Sequence, residues 1–216
     1  MNIKQFVFNA FSENTYVIYD DTKECVIIDP GCYDANERNL LTKFLEDNAL
    51  KVVSLINTHC HIDHVLGNSF VKHTFDVELL IHREDIATLK ANEMVAPIYG
   101  FPNYETTQAD NFLAEGDIVR FGDSELQVVF VPGHAPGHIA LVNVDQKICI
   151  GGDVLFQQSI GRTDLPGGDY DTLITSIKNK LFILPDDVTV YCGHGPSTTI
   201  GYEKKHNPFC GAYINR

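Results

Sequence analysis

Short apolar runs alternate with amphipathic stretches along the chain, and polar turns separate them. In the first half, the apolar runs predict strands at residues 4–8, 15–19, 25–29, 52–56 and 77–81. Apolar residues at helical spacing predict helices at residues 34–48, after residue 64 and at residues 83–90. The second half repeats this outline. Its strands are predicted at 118–121, 126–131, 139–144, 147–150 and 188–191, and its helices at 170–182 and from 198 to about 206.

Two strand-rich halves that each carry helices predict an α/β protein, specifically an αββα four-layer sandwich with two facing sheets and helices outside. No linker or repeat divides the chain, so we predict a single domain over residues 1–216. Periodicity fails over residues 92–116, which predicts a long loop. Such a loop is either a functional cover or a loosely packed surface excursion.

Composition places the chain among ordinary globular proteins, with 44% hydrophobic and 21% charged residues. No apolar run approaches the roughly eighteen residues of a membrane span, and the first residues are too polar for a secretory signal. We therefore expect a cytoplasmic protein. The six cysteines are scattered without a C-x-x-C motif, which favours reduced thiols.

The net charge of −13 limits the partners. No basic stripe is present, which argues against nucleic acid and anionic membranes as partners. A small-molecule substrate is the remaining expectation, and the sequence does not indicate an oligomeric state.

The candidate chemistry is concentrated in one stretch between a predicted strand and a predicted helix, Thr58-His59-Cys60-His61-Ile62-Asp63-His64. His59 and His61 are two residues apart, so on extended backbone they point to the same side. Three imidazoles and a carboxylate this close would repel each other if the imidazoles were protonated, but they suit a cationic metal. Two histidines would serve one ion, and Asp63 with His64 would serve a second.

Structural roles are the alternative for each residue alone. A single histidine usually belongs to the core or the surface, and Asp63 alone would be an ordinary N-cap for the following helix. Three histidines within six residues have no packing explanation, however. Cys60 should point away from its neighbours, buried and inert, with thiolate ligation as the alternative.

The pattern His59-x-His61-x-Asp63-His64 resembles the signature of the metallo-β-lactamase-fold hydrolases, and within them the glyoxalase II-like, hydroxyacylglutathione hydrolase-related branch. Three further stretches carry the resemblance in the same order along the chain: Pro132-Gly133-His134-Ala135-Pro136-Gly137-His138, Gly151-Gly152-Asp153-Val154-Leu155-Phe156 and Cys192-Gly193-His194-Gly195-Pro196.

The resemblance implies two metal sites. His59, His61 and His134 would hold the first ion, Asp63, His64 and His194 would hold the second, and Asp153 would bridge both. Such nitrogen and oxygen ligands suit two divalent ions, zinc first, with iron or manganese as alternatives. His138 is expected to have a structural or supporting role.

A dinuclear site of this kind implies a hydrolase whose nucleophile is a metal-bridging hydroxide, with Asp63 and Asp153 as its catalytic carboxylates. No spare carboxyl stands out as a general acid, so the leaving group should depart without protonation, as a thiolate does. Chemistry and resemblance therefore agree on a thioester, of the hydroxyacylglutathione type.

Substrate contacts are less defined. Ser159-Ile160-Gly161-Arg162-Thr163-Asp164 resembles a loop of the glyoxalase II-like and persulfide dioxygenase branches. Arg162 is a candidate for a substrate carboxylate, with an internal pair to Asp164 as the alternative. Lys204 and Lys205 are further candidates, with solvated surface positions as the alternative.

Three other functions are alternatives to thioester hydrolysis. A mononuclear-iron persulfide dioxygenase shares the resemblance, but that family has His-Asp-Tyr where this chain has His194-Gly195-Pro196. A β-lactamase is less favoured, because Asp153 stands where similar zinc lactamases usually have cysteine. A non-catalytic metal-binding module is the third. The helical C-terminal domain that contacts glutathione in glyoxalase II is not expected here, which leaves glutathione recognition open.

Overall fold

Two six-stranded sheets organise residues 1–212, the part of the chain that this computed structural model describes. The first sheet follows chain order, with strands β1 (Asn2–Phe8), β2 (Glu13–Tyr19), β3 (Glu24–Ile28), β4 (Lys51–Ile56), β5 (Leu79–His82) and β6 (Asn111–Leu113). Strands β1 to β3 pair antiparallel, whereas β3 to β6 pair parallel. The site stretch follows β4, which lies inside the sheet.

Helices make the crossovers that parallel pairing requires, because parallel strands need a long return connection. They are α1 (Ala35–Asp47), α2 (Ile62–Val65), α3 (Asn68–Phe75) and α4 (Ile86–Val95), with a 3₁₀ turn at Arg83–Asp85. The strands contribute β-branched residues and the helices contribute leucines to one apolar core, which includes Ile27, Leu41 and Leu55.

The second sheet has the order β14-β13-β10-β9-β8-β7. Its strands are β7 (Ile118–Phe121), β8 (Ser124–Phe130), β9 (Ile139–Asn143), β10 (Ile148–Gly152), β13 (Thr189–Cys192) and β14 (Thr198–Thr199), and β11 (Leu155–Phe156) and β12 (Ser159–Ile160) form a separate hairpin. Helix α5 (Tyr170–Ser176), a π-helical turn (Ile177–Leu181) and helix α6 (Ile200–His206) complete the described chain. A second core includes Val142, Leu173 and Val190.

The chain forms two compact units. The first comprises Met1–Leu113 with Arg120–Glu125, and the second comprises Ala114–Val119 with the chain from Leu126 onward. The prediction of one domain over residues 1–216 stays a prediction, and its last four residues lie outside the described part. Among residues 1–212, no helix is long and apolar enough to cross a membrane.

The predicted mixed α/β class is confirmed, with two multi-stranded sheets and helices. The loop predicted over residues 92–116 is wrong at both ends. Helix α4 continues to Val95, and β6 occupies Asn111–Leu113. Three residues carry too little periodicity to identify a strand, and β6 is held by its parallel pairing to β5 instead.

Helix α1 begins with a capping box that also fixes distant backbone. Asp34 accepts the amide of Glu37, and the Glu37 carboxylate accepts the amide of Asp34. The same carboxylate accepts the amides of Tyr33 at 2.7 Å and of Asn9 at 2.5 Å. Glu37 therefore joins the β1–β2 turn to the start of α1.

We expect Glu37→Ala to lower the free energy of unfolding by about 1–3 kcal/mol, measured by urea denaturation. A lost cap typically costs about 1 kcal/mol, and the two distant amides also lose their acceptor. Glu46→Ala, at an exposed position of the same helix, is the matched control. Equal effects from the two substitutions would show that neither the cap nor the distant amides contribute to stability.

Candidate metal centre

His59 and His61 lie in the connection between β4 and α2. The chain bends at residues 58–59 and is extended at His61, which has φ −65° and ψ 154°. The two ring centroids are 4.8 Å apart with perpendicular planes. The two imidazoles are therefore neighbours, as expected, although the backbone between them is not a continuous strand.

Asp63 and His64 follow in the short helix α2. The His64 Nε2 atom lies 3.7 Å from Asp63 Oδ2, and the His64 ring centroid is 4.1 Å from that of His59. Position 61 is the N-cap of α2, and no side chain caps the helix there. The N-cap alternative for Asp63 is therefore wrong, because the helix begins one residue before it.

Asp29 is the site residue that sequence reasoning missed. Its carboxylate accepts the amide of Thr58 at 2.7 Å and the hydroxyl of Thr58 at 2.6 Å, and its Oδ2 lies 3.2 Å from His64 Nδ1. Asp29, His59 and His64 each offer a ligand atom within 4.8 Å of the others. The contact to Nδ1 directs the Nε2 of His64 towards Asp63, so we assign Asp29 to orientation. The sequence signal that could have identified Asp29 is its position directly after a strand and before Pro30-Gly31.

A second carboxyl, Glu13, is completely buried behind His64. Its Oε1 lies 3.9 Å from His64 Nδ1, and its Oε2 accepts the hydroxyl of Thr15 at 2.9 Å. Burial raises the pKa of the Glu13 carboxyl well above its usual value, against a lowering by His64 and a further rise from Asp29. The same Thr15 hydroxyl accepts the amide of Gly31 at 2.9 Å, which ties Glu13 to the turn after Asp29.

Cys60 is buried, as predicted, with its backbone anchored on both sides. Its amide donates to Asp85 at 2.6 Å, and its carbonyl accepts from Asn92 at 2.8 Å. Burial and the nearby carboxylates of Asp85 and Asp29 raise the pKa of its thiol well above the usual value. A thiol held protonated in this way is a poor metal ligand.

Asp153, His134 and His194 come together in the second unit. The Asp153 Oδ2 atom lies 3.6 Å from His134 Nε2 and 3.5 Å from His194 Nε2. A single carboxylate oxygen thus stands near the same ring atom of two histidines from different loops. This is the arrangement expected of a carboxylate shared by two sites.

Backbone contacts hold these loops in place. The amide of Gly193 donates to the Gly152 carbonyl at 2.8 Å, which sets His194 beside Asp153. His134 Nδ1 lies 2.8 Å from the carbonyl oxygen of Arg162, so that nitrogen carries the proton and Nε2 keeps its lone pair. A Cβ at Gly161 would overlap the Asp153 carbonyl, and glycine is needed for this approach.

His138 is fully buried and supports Asp153 from behind. Its Nε2 accepts the amide of Asp153 at 3.0 Å. An imidazole nitrogen that accepts a hydrogen bond is unprotonated, so this ring is held in one tautomer. The contact gives His138 a supporting place behind the Asp153 backbone.

The predicted substrate cations lie in ion pairs or on the surface. Arg162 donates to both carboxylate oxygens of Asp164 at 2.7 Å, and this pairing lowers the pKa of Asp164 to about 2. Lys204 donates to Asp186 at 2.6 Å and to the Leu184 carbonyl at 3.0 Å. Lys205, near the end of α6, lines a shallow surface pocket with Asp187 and His206.

The donors in each unit fit divalent metal ions by their chemistry. The first unit offers three imidazoles and one carboxylate, from His59, His61, His64 and Asp63, and the second offers two imidazoles and one carboxylate. Nitrogen and oxygen ligands of this kind suit zinc, iron and manganese alike. Combining the two groups into two complete sites stays a prediction.

We expect Asp153→Ala to weaken metal binding by at least about tenfold, because even residues that only support a ligand typically contribute that much. Cys60→Ala should leave the metal content unchanged, since its thiol stays protonated. Elemental mass spectrometry of protein purified under identical conditions measures both. Loss of a metal from the Cys60 variant, at an unchanged melting temperature, would overturn the ligand assignment.

Comparisons with known proteins identify the family of this chain. Residues 9–194 match the model of the metallo-beta-lactamase superfamily. The hydroxyacylglutathione hydrolase GloC of Haemophilus influenzae is 41% identical over 97% of this chain and 98% of its own.

Solved structures are similar over almost the whole chain. The BLEG-1 B3 metallo-beta-lactamase has a TM-score of 0.88 and 37% identity, covering 97% of this chain and 99% of its own. TTHA1623 in a di-iron-bound form has a TM-score of 0.85 and 32% identity, covering 95% and 99%. ETHE1 from Myxococcus xanthus has a TM-score of 0.80 and 26% identity, covering 97% and 84%. The predicted fold class is thereby confirmed, and the chain belongs to the metallo-β-lactamase superfamily of metal-dependent hydrolases.

Proposed function

We propose that this protein is a dinuclear-metal hydrolase of acyl thioesters. The observation that carries the proposal is the position of Asp153 Oδ2, about equally far from His134 Nε2 and His194 Nε2. Each histidine belongs to a different proposed metal site, so a carboxylate oxygen between them suits a shared ligand. The similarity to hydroxyacylglutathione hydrolase GloC supports a thioester substrate.

In this proposal, the ligands of the first ion are His59, His61 and His134. Those of the second are Asp63, His64 and His194, and Asp153 is shared between the two. This assignment rests on the motif resemblance and on family membership. We favour zinc, and the di-iron form of TTHA1623 keeps iron among the candidates.

Divalent ions, when bound, supply a water-derived nucleophile at neutral pH and polarise the carbonyl that it attacks. The chain's own residues fix the geometry for this chemistry. Asp29 holds His64 through Nδ1, and the Arg162 carbonyl holds His134 through Nδ1, so both rings keep Nε2 for a metal. Without these contacts, either ring could turn or change its tautomer.

The kind of leaving group depends on whether a carboxyl near the ligands can protonate it. A general acid must reach the departing atom, and Glu13, the carboxyl behind His64, is completely buried. It contacts Thr15 and His64 and cannot reach a substrate. A thiolate departs without a proton, whereas an amine needs one. The site therefore suits a thioester better than an amide.

Two other functions have specific support. The similarity to the BLEG-1 B3 metallo-beta-lactamase favours β-lactam cleavage as a second candidate. A mononuclear-iron persulfide dioxygenase stays an alternative from the sequence resemblance, and the similarity to ETHE1 is compatible with it. We further propose a small-molecule substrate, without nucleic acid or membrane as a partner, and a cytoplasmic location.

We expect purified protein to bind up to two transition-metal ions per chain, because seven candidate ligands are available for two ions. Elemental mass spectrometry after saturation with zinc, iron or manganese, followed by gel filtration, gives the stoichiometry. Saturation at one ion, with iron alone, would exclude the dinuclear site and favour the dioxygenase.

We also expect the metal-loaded enzyme to hydrolyse S-lactoylglutathione but not its amide isostere or a β-lactam. General acid catalysis typically contributes about 10²–10⁴-fold, so its absence should slow the amide by at least that order. Steady-state kcat/KM for the matched pair measures the difference.

Comparable rates for the thioester and the amide would show that a general acid is present. Oxygen consumption with glutathione persulfide, without thioester turnover, would establish the dioxygenase instead. Asp153→Ala should abolish thioester turnover, and Cys60→Ala should retain it.

A further inference from the structure

Four large apolar side chains of the first unit are exposed in the β1–β2 turn and around the end of α4. They are Phe11, Met94, Ile98 and Tyr99, with exposed fractions of 41%, 77%, 80% and 47%. We call these four residues the apolar rim. Large apolar groups exposed together usually mark a binding surface.

The rim stands on a rigid base. Residues 95–101 form consecutive turns, in which the Phe101 amide donates to the Ala96 carbonyl at 2.9 Å and the Tyr99 amide to the Val95 carbonyl at 3.2 Å. Ala96 and Phe101 are buried at the foot of these turns. Ile98 and Tyr99 are thus presented from a hydrogen-bonded stretch of backbone.

Aromatic contacts join the two parts of the rim. The Phe11 ring centroid lies 5.9 Å from that of Tyr99 and 5.8 Å from that of Phe101. Phe101 in turn packs edge-on against Tyr33 at 5.0 Å. Phe11, from the β1–β2 turn, therefore belongs to the same surface as the turns after α4.

Asn9 connects this surface to a proposed metal ligand. Its side-chain amide donates to the carbonyl oxygens of Asp63 and Gly31, each at 3.0 Å, and its Oδ1 accepts the amide of Phe11 at 2.9 Å. A single asparagine side chain thus links the backbone of Phe11 to that of Asp63. The Phe11 end of the rim is therefore one hydrogen-bonded side chain away from the backbone of a proposed ligand.

Charge favours an apolar occupant. The chain carries a net charge of −13, and two of the three candidate cations for substrate binding, Arg162 and Lys204, are already paired with Asp164 and Asp186. An alkyl or aryl group does not depend on a cation, and it gains by burial against the rim. The exposed carbon surface is the recognition element that these residues offer.

We propose that the apolar rim binds the apolar acyl chain of a thioester substrate, so that the enzyme prefers medium-length acyl groups to acetyl or lactoyl. This inference rests on the proposed thioester hydrolysis and adds its substrate class. Each methylene buried against the rim should raise kcat/KM by up to about fourfold.

The test compares acetyl, butyryl, hexanoyl and octanoyl thioesters of one thiol with the zinc-loaded enzyme. For the wild type, kcat/KM should rise with chain length. Phe11→Ala and Ile98→Ala should lower kcat/KM for octanoyl by roughly tenfold and change acetyl by less than about twofold. Leu40→Ala is the matched control, an apolar residue of α1 in the same unit that is 58% exposed.

A binding arm separates failure of the inference from failure of the proposed function. Octyl and methyl thioethers of the same thiol lack the carbonyl and cannot be hydrolysed, so isothermal titration with them reports the rim alone. Tighter binding of the octyl compound to wild type than to Phe11→Ala supports the rim, even if no thioester is hydrolysed.

Four results would overturn the inference. Chain-length independence in wild type would show that the rim does not contact the acyl group, as would equal losses on acetyl and octanoyl in the variants. A dimer in analytical ultracentrifugation that Phe11→Ala dissociates would assign the rim to a second copy of this chain. A preference that follows the alkyl length of the thiol, with the acyl group fixed, would place the leaving group there instead.

Discussion

A buried carboxylate, Asp29, holds the ligand stretch of the first unit in place. A carboxylate removed from water is costly unless hydrogen bonds compensate it, and Asp29 obtains them from the amide and hydroxyl of Thr58. Its third contact, to His64, lies on the same oxygen as the Thr58 hydroxyl. Asp29 has a φ of 50°, in the left-handed region that aspartate adopts more readily than most non-glycine residues. This backbone turn and the three contacts of the carboxylate together set the orientation of a metal-ligand candidate.

The order of the longer elements was accessible from the sequence because each of them leaves a periodic trace. The apolar run around Leu55 has the length of a strand, and Leu41 and Leu45 lie on the buried face of α1. The apolar pattern alone therefore identifies both elements. The candidate ligands were accessible for another reason. Three histidines within six residues serve no packing purpose, so their residue types and spacing alone indicate a metal site.

The supporting contacts were not accessible, because most of them use backbone atoms. His134 is held by the backbone carbonyl of Arg162. The Arg162 side chain, the predicted substrate contact, pairs with Asp164 instead. Asn9 acts through carbonyl oxygens that any residue would offer. Glu13 looked like part of a polar turn, yet it begins β2 and is completely buried. Every residue has a backbone carbonyl, so a sequence motif cannot show which carbonyl makes a supporting contact.

Residues that support the proposed ligands differ from those of the apolar rim in how freely they can be substituted. Residues that hold ligands, such as Asp29 and His138, are buried and hydrogen-bonded, and any change there disturbs the ligand geometry. Ile98 and Met94 are largely exposed and support no ligand, so they can change with little cost in stability. In the proposed function, the buried side of these loops fixes the metal chemistry and the exposed side selects the substrate. A fold divided in this way can keep one metal chemistry while its relatives differ in substrate.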